Sequence, residues 1–321
     1  MSLLKPGRRG GSYLGDALHS LGVRHLFSLP GSQLLSVWDA LCDHGILQLV
    51  VPRSEWSGAF MAEGYGAAGG RPAAVMNTLG PGVANETIGM ASARSSGTPV
   101  LFVSPGQPPP NRARLGAVFQ GLDQRRMLEP LVRASRSVDR PDALGPALLW
   151  AMRQCLGPPS GPVRVEISFP MLFERHAFQL PEPAPPVPPP GAADCIVVRE
   201  TPPAPAPSWL SGDFTRCRVL TPGFARPGYA LPFALGARLS RDDVPVLAIT
   251  DPRHLLDNAD VLSVAQVHGV PVHILSREKP RVPGVETLAG LFGAGYQRFE
   301  SDDALAGRSF GTGPTLAILC A

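Results

Sequence analysis

The sequence predicts two doubly wound, parallel-sheet α/β domains joined by a proline-rich strap. Three observations predict it. Short apolar or β-branched runs alternate with helical spacings over roughly the first 170 residues. The same alternation returns between Cys195 and Leu319. Between the two lies Pro-Glu-Pro-Ala-Pro-Pro-Val-Pro-Pro-Pro, an extended linker by composition or, in a second reading, a proline-rich ligand for another protein. The expected boundaries are 1–174, a strap at 175–193, and 194–321.

In order along the chain, Tyr13, Leu14, Ala17, Leu18 and Leu21 keep helical spacing, and Gly22 is the expected stop. His25 to Leu29 reads as a strand, and Pro30-Gly31-Ser32 turns into a helix reaching about Cys42. Further strands are expected at Leu47–Val51, Ala73–Asn77, Val100–Val103 and Val163–Ile167, with helices between them. In the second half, Cys195–Val198, Cys217–Leu220, Val246–Ile249, Val272–Leu275 and Thr315–Leu319 read as strands. Tyr229–Leu239, Asn258–Val267 and Glu286–Phe292 read as helices.

Composition sets bounds. The chain has 321 residues, 44% hydrophobic and 17% charged, enough apolar material for two cores. A net charge of +3 gives no case for nucleic acid. No apolar run reaches membrane-spanning length, and the basic stretch Met1–Gly11 lacks the core of a secretory signal. Five scattered cysteines (Cys42, Cys155, Cys195, Cys217, Cys320) without a CxxC pair suggest reduced thiols and a cytoplasmic protein.

The candidate chemistry starts at Arg53-Ser54-Glu55-Trp56. Here an acid opens an apolar helix directly after a strand, at the mouth of an α/β sheet. Glu55 is also a plain helix N-terminal acid by position, stabilised by the dipole. Ser32 can cap the helix that follows it. Gly80-Pro81-Gly82 can be a simple turn into a helix, and Gln120 a loop residue. Phe60 and Met61 read as core. Asp257, Asn258 and Asp260 look like a metal set but read as caps at a helix start.

Several landmarks keep a common order: Phe27-Ser28-Leu29-Pro30-Gly31-Ser32, Glu55 with Ala62-Glu63-Gly64-Tyr65-Gly66, Thr78-Leu79-Gly80-Pro81-Gly82-Val83-Ala84-Asn85, and Phe119-Gln120. They resemble the pyrimidine-binding domain of thiamine diphosphate (ThDP) enzymes, in the branch of acetolactate synthase and benzoylformate decarboxylase. The resemblance implies that Glu55 drives the cofactor's aminopyrimidine to its imino tautomer. It implies that Gly31, Thr78, Gly80, Gly82 and Asn85 line the cofactor, with Ser32 and Gln120 toward the substrate. It further implies a lyase or carboligase acting on a small 2-oxo acid, ThDP and Mg²⁺ as cofactors, and a homodimer.

The second half resembles the diphosphate-binding domain of the same family, without the central domain of most members. Gly228-Tyr229-Ala230-Leu231-Pro232 is similar to the helix after the family's glycine loop, and Asp251 stands where a metal-binding Asp belongs. Yet Thr250-Asp251-Pro252 has lost both flanking glycines, and Ala225-Arg226-Pro227 replaces the glycine run. Ser276-Arg277-Glu278 stands in place of an asparagine. One reading lets Arg226, Arg253, His254, Arg277 or Lys279 hold the diphosphate by charge. A second is a diverged enzyme without ThDP, with Glu55 as general acid or base in the cleft. A third is a silent subunit paired with an intact paralogue.

Overall fold

The computed structural model describes residues 7–184, 187, 191–200, 217–224, 227–277, 283–299 and 315–319. The N-terminal half runs β1 (Arg8–Arg9), α1 (Gly10–Ser20), β2 (His25–Phe27), α2 (Leu35–His44), β3 (Gln48–Val50), α3 (Glu55–Gly69) and β4 (Ala73–Met76). It continues through α4 (Pro81–Asn85), α5 (Thr87–Ser96), β5 (Val100–Gly106), α6 (Pro109–Arg112), α7 (Gln124–Leu128) and β6 (Ala134–Val138). It closes with α8 (Pro141–Leu156), β7 (Val163–Ser168), α9 (Pro170–Phe173) and β8 (Arg175–His176). The C-terminal half runs β9 (Ile196–Arg199), β10 (Arg218–Leu220), α10 (Ala230–Ser240), β11 (Val246–Thr250), α11 (Pro252–Asp257) and α12 (Asp260–Val267). β12 (His273–Arg277), α13 (Val285–Leu291), β13 (Gly295–Phe299) and β14 (Thr315–Leu319) complete it.

Each half builds a six-stranded, wholly parallel sheet, ordered β3-β2-β4-β5-β7-β6 and β10-β9-β11-β12-β14-β13. Numbered within its own half, each sheet reads 2-1-3-4-6-5. The two domains share one topology. In each, the strand order reverses between the first and third strands, which opens a crevice beyond their carboxyl ends.

Alternation along the strands separates two cores. Ala74, Met76, Leu101 and Val103 face α1, α2 and α8. Ala73, Val75, Val100 and Phe102 face α3 and α5, in a core that continues through α10 into the second sheet at Ile196, Val198 and Ala248. α3 carries small and apolar residues all round, so it is buried on every side between the sheets. The joint with α10 is a backbone contact. A Cβ on Gly64 would lie 1.9 Å from the Phe233 carbonyl oxygen, and one on Gly236 would lie 1.7 Å from that of Met61. Only glycine permits this approach.

Several expectations change. Two strands, β6 and β13, were absent from the sequence reading; Ala-Ser-Arg-Ser-Val has little apolar content, and its middle three residues are exposed. Residues 175–176 belong to the first domain rather than to the strap, because β8 pairs antiparallel with β1. Ser32 caps no helix. It opens a 3-10 turn, and α2 begins only at Leu35. α12 starts at Asp260 without a side-chain cap, and Asn258 instead closes α11 by donating to the His254 carbonyl at 2.6 Å. Cys195 and Cys217 are joined as a disulfide rather than held as free thiols. They precede neighbouring strands β9 and β10, and their Cα atoms are 4.6 Å apart, within disulfide reach. Cys42 and Cys155 are free, and Cys320 lies outside the described residues. Among the described residues no helix is long and apolar enough to cross a membrane.

Gly64→Ala or Gly236→Ala should destabilise the protein by about 3 kcal/mol or more, since neither added methyl can be housed without parting the helices. Denaturant unfolding measures this. A loss below about 0.5 kcal/mol in both variants would contradict the packing described.

Candidate functional site

Glu55 is the first residue of α3, and its partly exposed carboxylate accepts the Asn85 side-chain N–H at 3.1 Å. The acid complements the helix N-terminus and reaches the loop that ends at Asn85. Gly80, with φ of 74°, turns that loop, and its N–H donates to Gln124 Oε1 at 2.8 Å. The Thr78 hydroxyl donates to Gln33 Oε1, and Gln33 Nε2 donates to Gln120 Oε1 at 2.9 Å. Gly31 packs against Thr78, and Gly82 against Asn77 and Thr78. The structure thus brings Gly31, Thr78, Gly80, Gly82 and Gln120 into one loop cluster, with Asn85 and Glu55 at its edge. Ser32 is exposed on the adjoining turn.

A buried acid beside this cluster escaped sequence reasoning. Glu86 follows Asn85, is 1% exposed, and accepts the Asn77 side-chain N–H at 2.8 Å. Asn77 also accepts the Leu29 N–H at 3.0 Å, tying β2 to β4 at the crevice of the first sheet. Burial pushes the Glu86 carboxyl up to about 8, with the Glu55 charge adding to the rise. The available signal was an acid adjoining the glycine loop, at the junction of α4 and α5.

Glu63, in the middle of α3, is also fully buried. It accepts the Ser96 hydroxyl at 2.9 Å. Its other oxygen has no partner in good hydrogen-bond geometry, although Ser92 and the Gly223 N–H favour its charged form. Burial outweighs them and lifts the carboxyl to about 7. Gly223 and Phe224 follow β10, and the Phe224 N–H donates to Ser92 Oγ at 3.3 Å, so Glu63 lies at the joint between the domains.

The C-terminal counterpart is organised around another acid missed in the sequence. Glu200 directly follows β9 and is 9% exposed. Its Oε1 accepts the Gly228 N–H and the Thr250 hydroxyl, each at 2.8 Å. Its Oε2 lies 2.6 Å from His254 Nδ1. A carboxylate only accepts, so Nδ1 carries the proton. Tyr229 donates its hydroxyl to the Arg199 carbonyl at 2.5 Å and stacks on Phe60, 5.8 Å between centroids, and Phe60 meets Trp56 at 6.0 Å. Arg53 donates to Ser263 of α12 at 2.9 Å. The first turns of α3, and Glu55 with them, therefore border the same side of the C-terminal domain as Glu200.

Asp251 caps α11, with Pro252 at the first helical position that suits proline. One oxygen accepts Arg253 N–H at 2.8 Å and Nε at 3.0 Å, and the other accepts Nη2 at 3.0 Å. The Arg253 guanidinium holds the Asp251 carboxyl below its ordinary range. Among the described residues no three His, Cys, Asp or Glu side chains converge as a metal set. Arg226, Glu278, Lys279 and the side chain of Arg277 lie outside what is described.

The fit to a metal-bridged diphosphate fails on this geometry. Asp251 is occupied by Arg253, His254 by Glu200, and the Gly228 N–H by a carboxylate. Asp251, expected as a metal ligand, and Arg253 and His254, expected at the diphosphate, each have an internal partner here. A cavity of about 870 Å³ adjoins Gly66–Gly70 at the far end of α3 and receives none of the expected site residues. A smaller one of about 230 Å³ is lined by Gln120, Gln124, Arg112 and Glu166.

Residues 8–127 match the family described as thiamine pyrophosphate enzyme, N-terminal TPP binding domain. The chain is 36% identical over 138 residues to acetolactate synthase of Bacillus subtilis (strain 168), covering 43% of this chain and 23% of that protein. It is 33% identical over 144 residues to the catabolic acetolactate synthase of Raoultella terrigena, covering 45% and 25%. The chain spans about a quarter of the length of these relatives. A solved structure from Mycobacterium smegmatis, assigned as a thiamin diphosphate-dependent enzyme, superposes over 98% of this chain and 99% of its own, with a TM-score of 0.74 at 16% identity. The N-terminal domain is thus similar to the N-terminal TPP binding domain of thiamine pyrophosphate enzymes and, in sequence, to that of acetolactate synthases. The fold of the whole chain is that of the Mycobacterium smegmatis structure.

The raised carboxyls give a pH dependence with a defined sign. The folded protein keeps Glu63 and Glu86 protonated to about 7 and about 8, whereas the ordinary value is 4.5. Their contribution is full below about 4.5 and is lost as pH rises through 7 to 8, at up to about 1.4 kcal/mol per pH unit for each group. Melting temperatures from pH 5 to 9 should fall for the wild type and flatten in Glu63→Gln and Glu86→Gln. An unchanged slope in both variants would refute it.

Proposed function

We propose that this chain is a diverged enzyme on the ThDP-enzyme scaffold, in which Glu55 acts as general acid or base on a small carbonyl acid of the 2-oxo acid type. The observation that carries the proposal is the Glu200 carboxylate, which engages the Gly228 N–H, the Thr250 hydroxyl and His254 Nδ1 at the crevice of the second sheet. Glu55 keeps its position at a strand-to-helix junction, with Asn85 to orient it and the C-terminal domain beside it. A carboxylate so placed can take a proton from the carbon next to a carbonyl and return it to the resulting enol. The lyase or carboligase reading requires a metal-bridged diphosphate, and the described residues do not suit one.

The silent-subunit reading, in which Glu55 serves an intact paralogue, needs another chain's diphosphate-binding domain against α3. That face of α3 already meets α10 of its own chain in backbone contact. The cleft is therefore proposed to be self-contained, whatever the oligomeric state.

The test is solvent-deuterium exchange next to the carbonyl across a panel of 2-oxo acids, followed by NMR. Exchange should proceed equally with and without added ThDP and Mg²⁺, and Glu55→Gln should slow it by roughly 10²–10⁴-fold. Turnover that appears only with ThDP and Mg²⁺ would overturn this reading in favour of the lyase or carboligase.

A further inference from the structure

The crevice of the second sheet opens between β9 and β11, where the strand order reverses. In doubly wound sheets this is where ligands enter, and an anion there is held by backbone N–H groups at a helix N-terminus. The required donors are present. Gly228 lies just before α10 with φ of 87°, and its N–H points at the crevice. A Cβ there would fall 1.8 Å from Asn258 Nδ2, so the turn is fixed around a glycine. The Thr250 hydroxyl projects from the end of β11, and the His254 Nδ1–H from the first turn of α11.

All three donors converge on a single carboxylate, that of Glu200, from the end of β9. We infer that Glu200 is an internal anion: it takes the place of a diphosphate in the crevice and closes the C-terminal domain to diphosphate ligands. This inference rests on the reading that the cleft works without a metal-bridged diphosphate, and supplies the reason for it.

The physical case is one of competition. An incoming diphosphate must displace a group tethered to its own backbone through two methylenes, whose effective concentration no free ligand matches. The displaced carboxylate would then remain in a nearly buried position beside a multiply charged anion, at a cost in repulsion and desolvation. A bridging cation could relieve that repulsion, but Asp251 already gives both its oxygens to Arg253. The Glu200–Thr250 contact also pins β9 to β11 across the crevice, as Asn77 pins β2 to β4 in the first domain.

The experiment is calorimetric titration of the full chain with inorganic pyrophosphate, with and without Mg²⁺. Wild type should give no binding. Glu200→Ala, which removes the carboxylate facing the Gly228 N–H, the Thr250 hydroxyl and His254 Nδ1, should bind at least tenfold more tightly than the wild-type limit. Adding Thr250→Val to Glu200→Ala should remove part of that gain. Glu200→Gln, which keeps an acceptor oxygen in place, should remain silent. Glu200→Ser provides the same comparison if the alanine variant does not fold. Pyrophosphate binding by wild type would overturn both this inference and the reading of the cleft it rests on. Silence in wild type, Glu200→Ala and Glu200→Ser alike would overturn the internal-anion inference and leave the reading of Glu55 standing.

Discussion

Everything between the two domains depends on the crossing of α3 and α10. At Gly64 and Gly236 each helix presses its backbone against a carbonyl of the other, closer than any side chain would allow. That contact makes one continuous core of two sheets. It also sets the position of Glu55, because the first turn of α3 is carried to the edge of the C-terminal domain and held there through Trp56, Phe60 and Tyr229. A helix without a polar face can occupy such a place because it has no need of water on any side.

The shared 2-1-3-4-6-5 topology puts a crevice at the same point of each domain. The two crevices have been put to different use. In the first, Asn77 clamps the strands while Glu55 remains at the rim, accessible to solvent and to a ligand. In the second, an acid turns inward and takes the donors for itself. Pro252 at the start of α11 and the Asp251–Arg253 pair consolidate that arrangement, since Pro252 has no N–H and the Arg253 N–H and both Asp251 oxygens are already paired. The two halves thus share one scaffold, with an acid at the rim of one crevice and an acid turned into the other.

Much of the architecture was legible in the sequence. Runs such as Ala73–Met76 and Val246–Thr250 are apolar on both faces and short, which is the mark of buried parallel strands. β6 and β13 were not legible, because polar and charged residues interrupt their runs and nothing local distinguishes them from loops. On the site side, Glu55, Thr78, Gly80 and Asn85 could be named because they are close in sequence and stand in a recurring pattern. Glu63, Glu86 and Glu200 could not be weighed. Two of them lie in or beside the recurring pattern, but the burial that sets each apart comes from elements far away in the chain.

The sequence by itself determined the two-domain parallel α/β design, the order of most elements and the place of Glu55 at a helix start, since hydrophobic periodicity and glycine positions are local properties. It also exposed the loss of the glycines around Asp251. Only the tertiary structure decided what replaced them. The pairing of Glu200 with Gly228, Thr250 and His254 joins residues up to 54 positions apart, and no local pattern encodes it. It follows from the order of the strands, which brings β9 beside β11 and turns one acid into the occupant of a site that its neighbours alone would leave open.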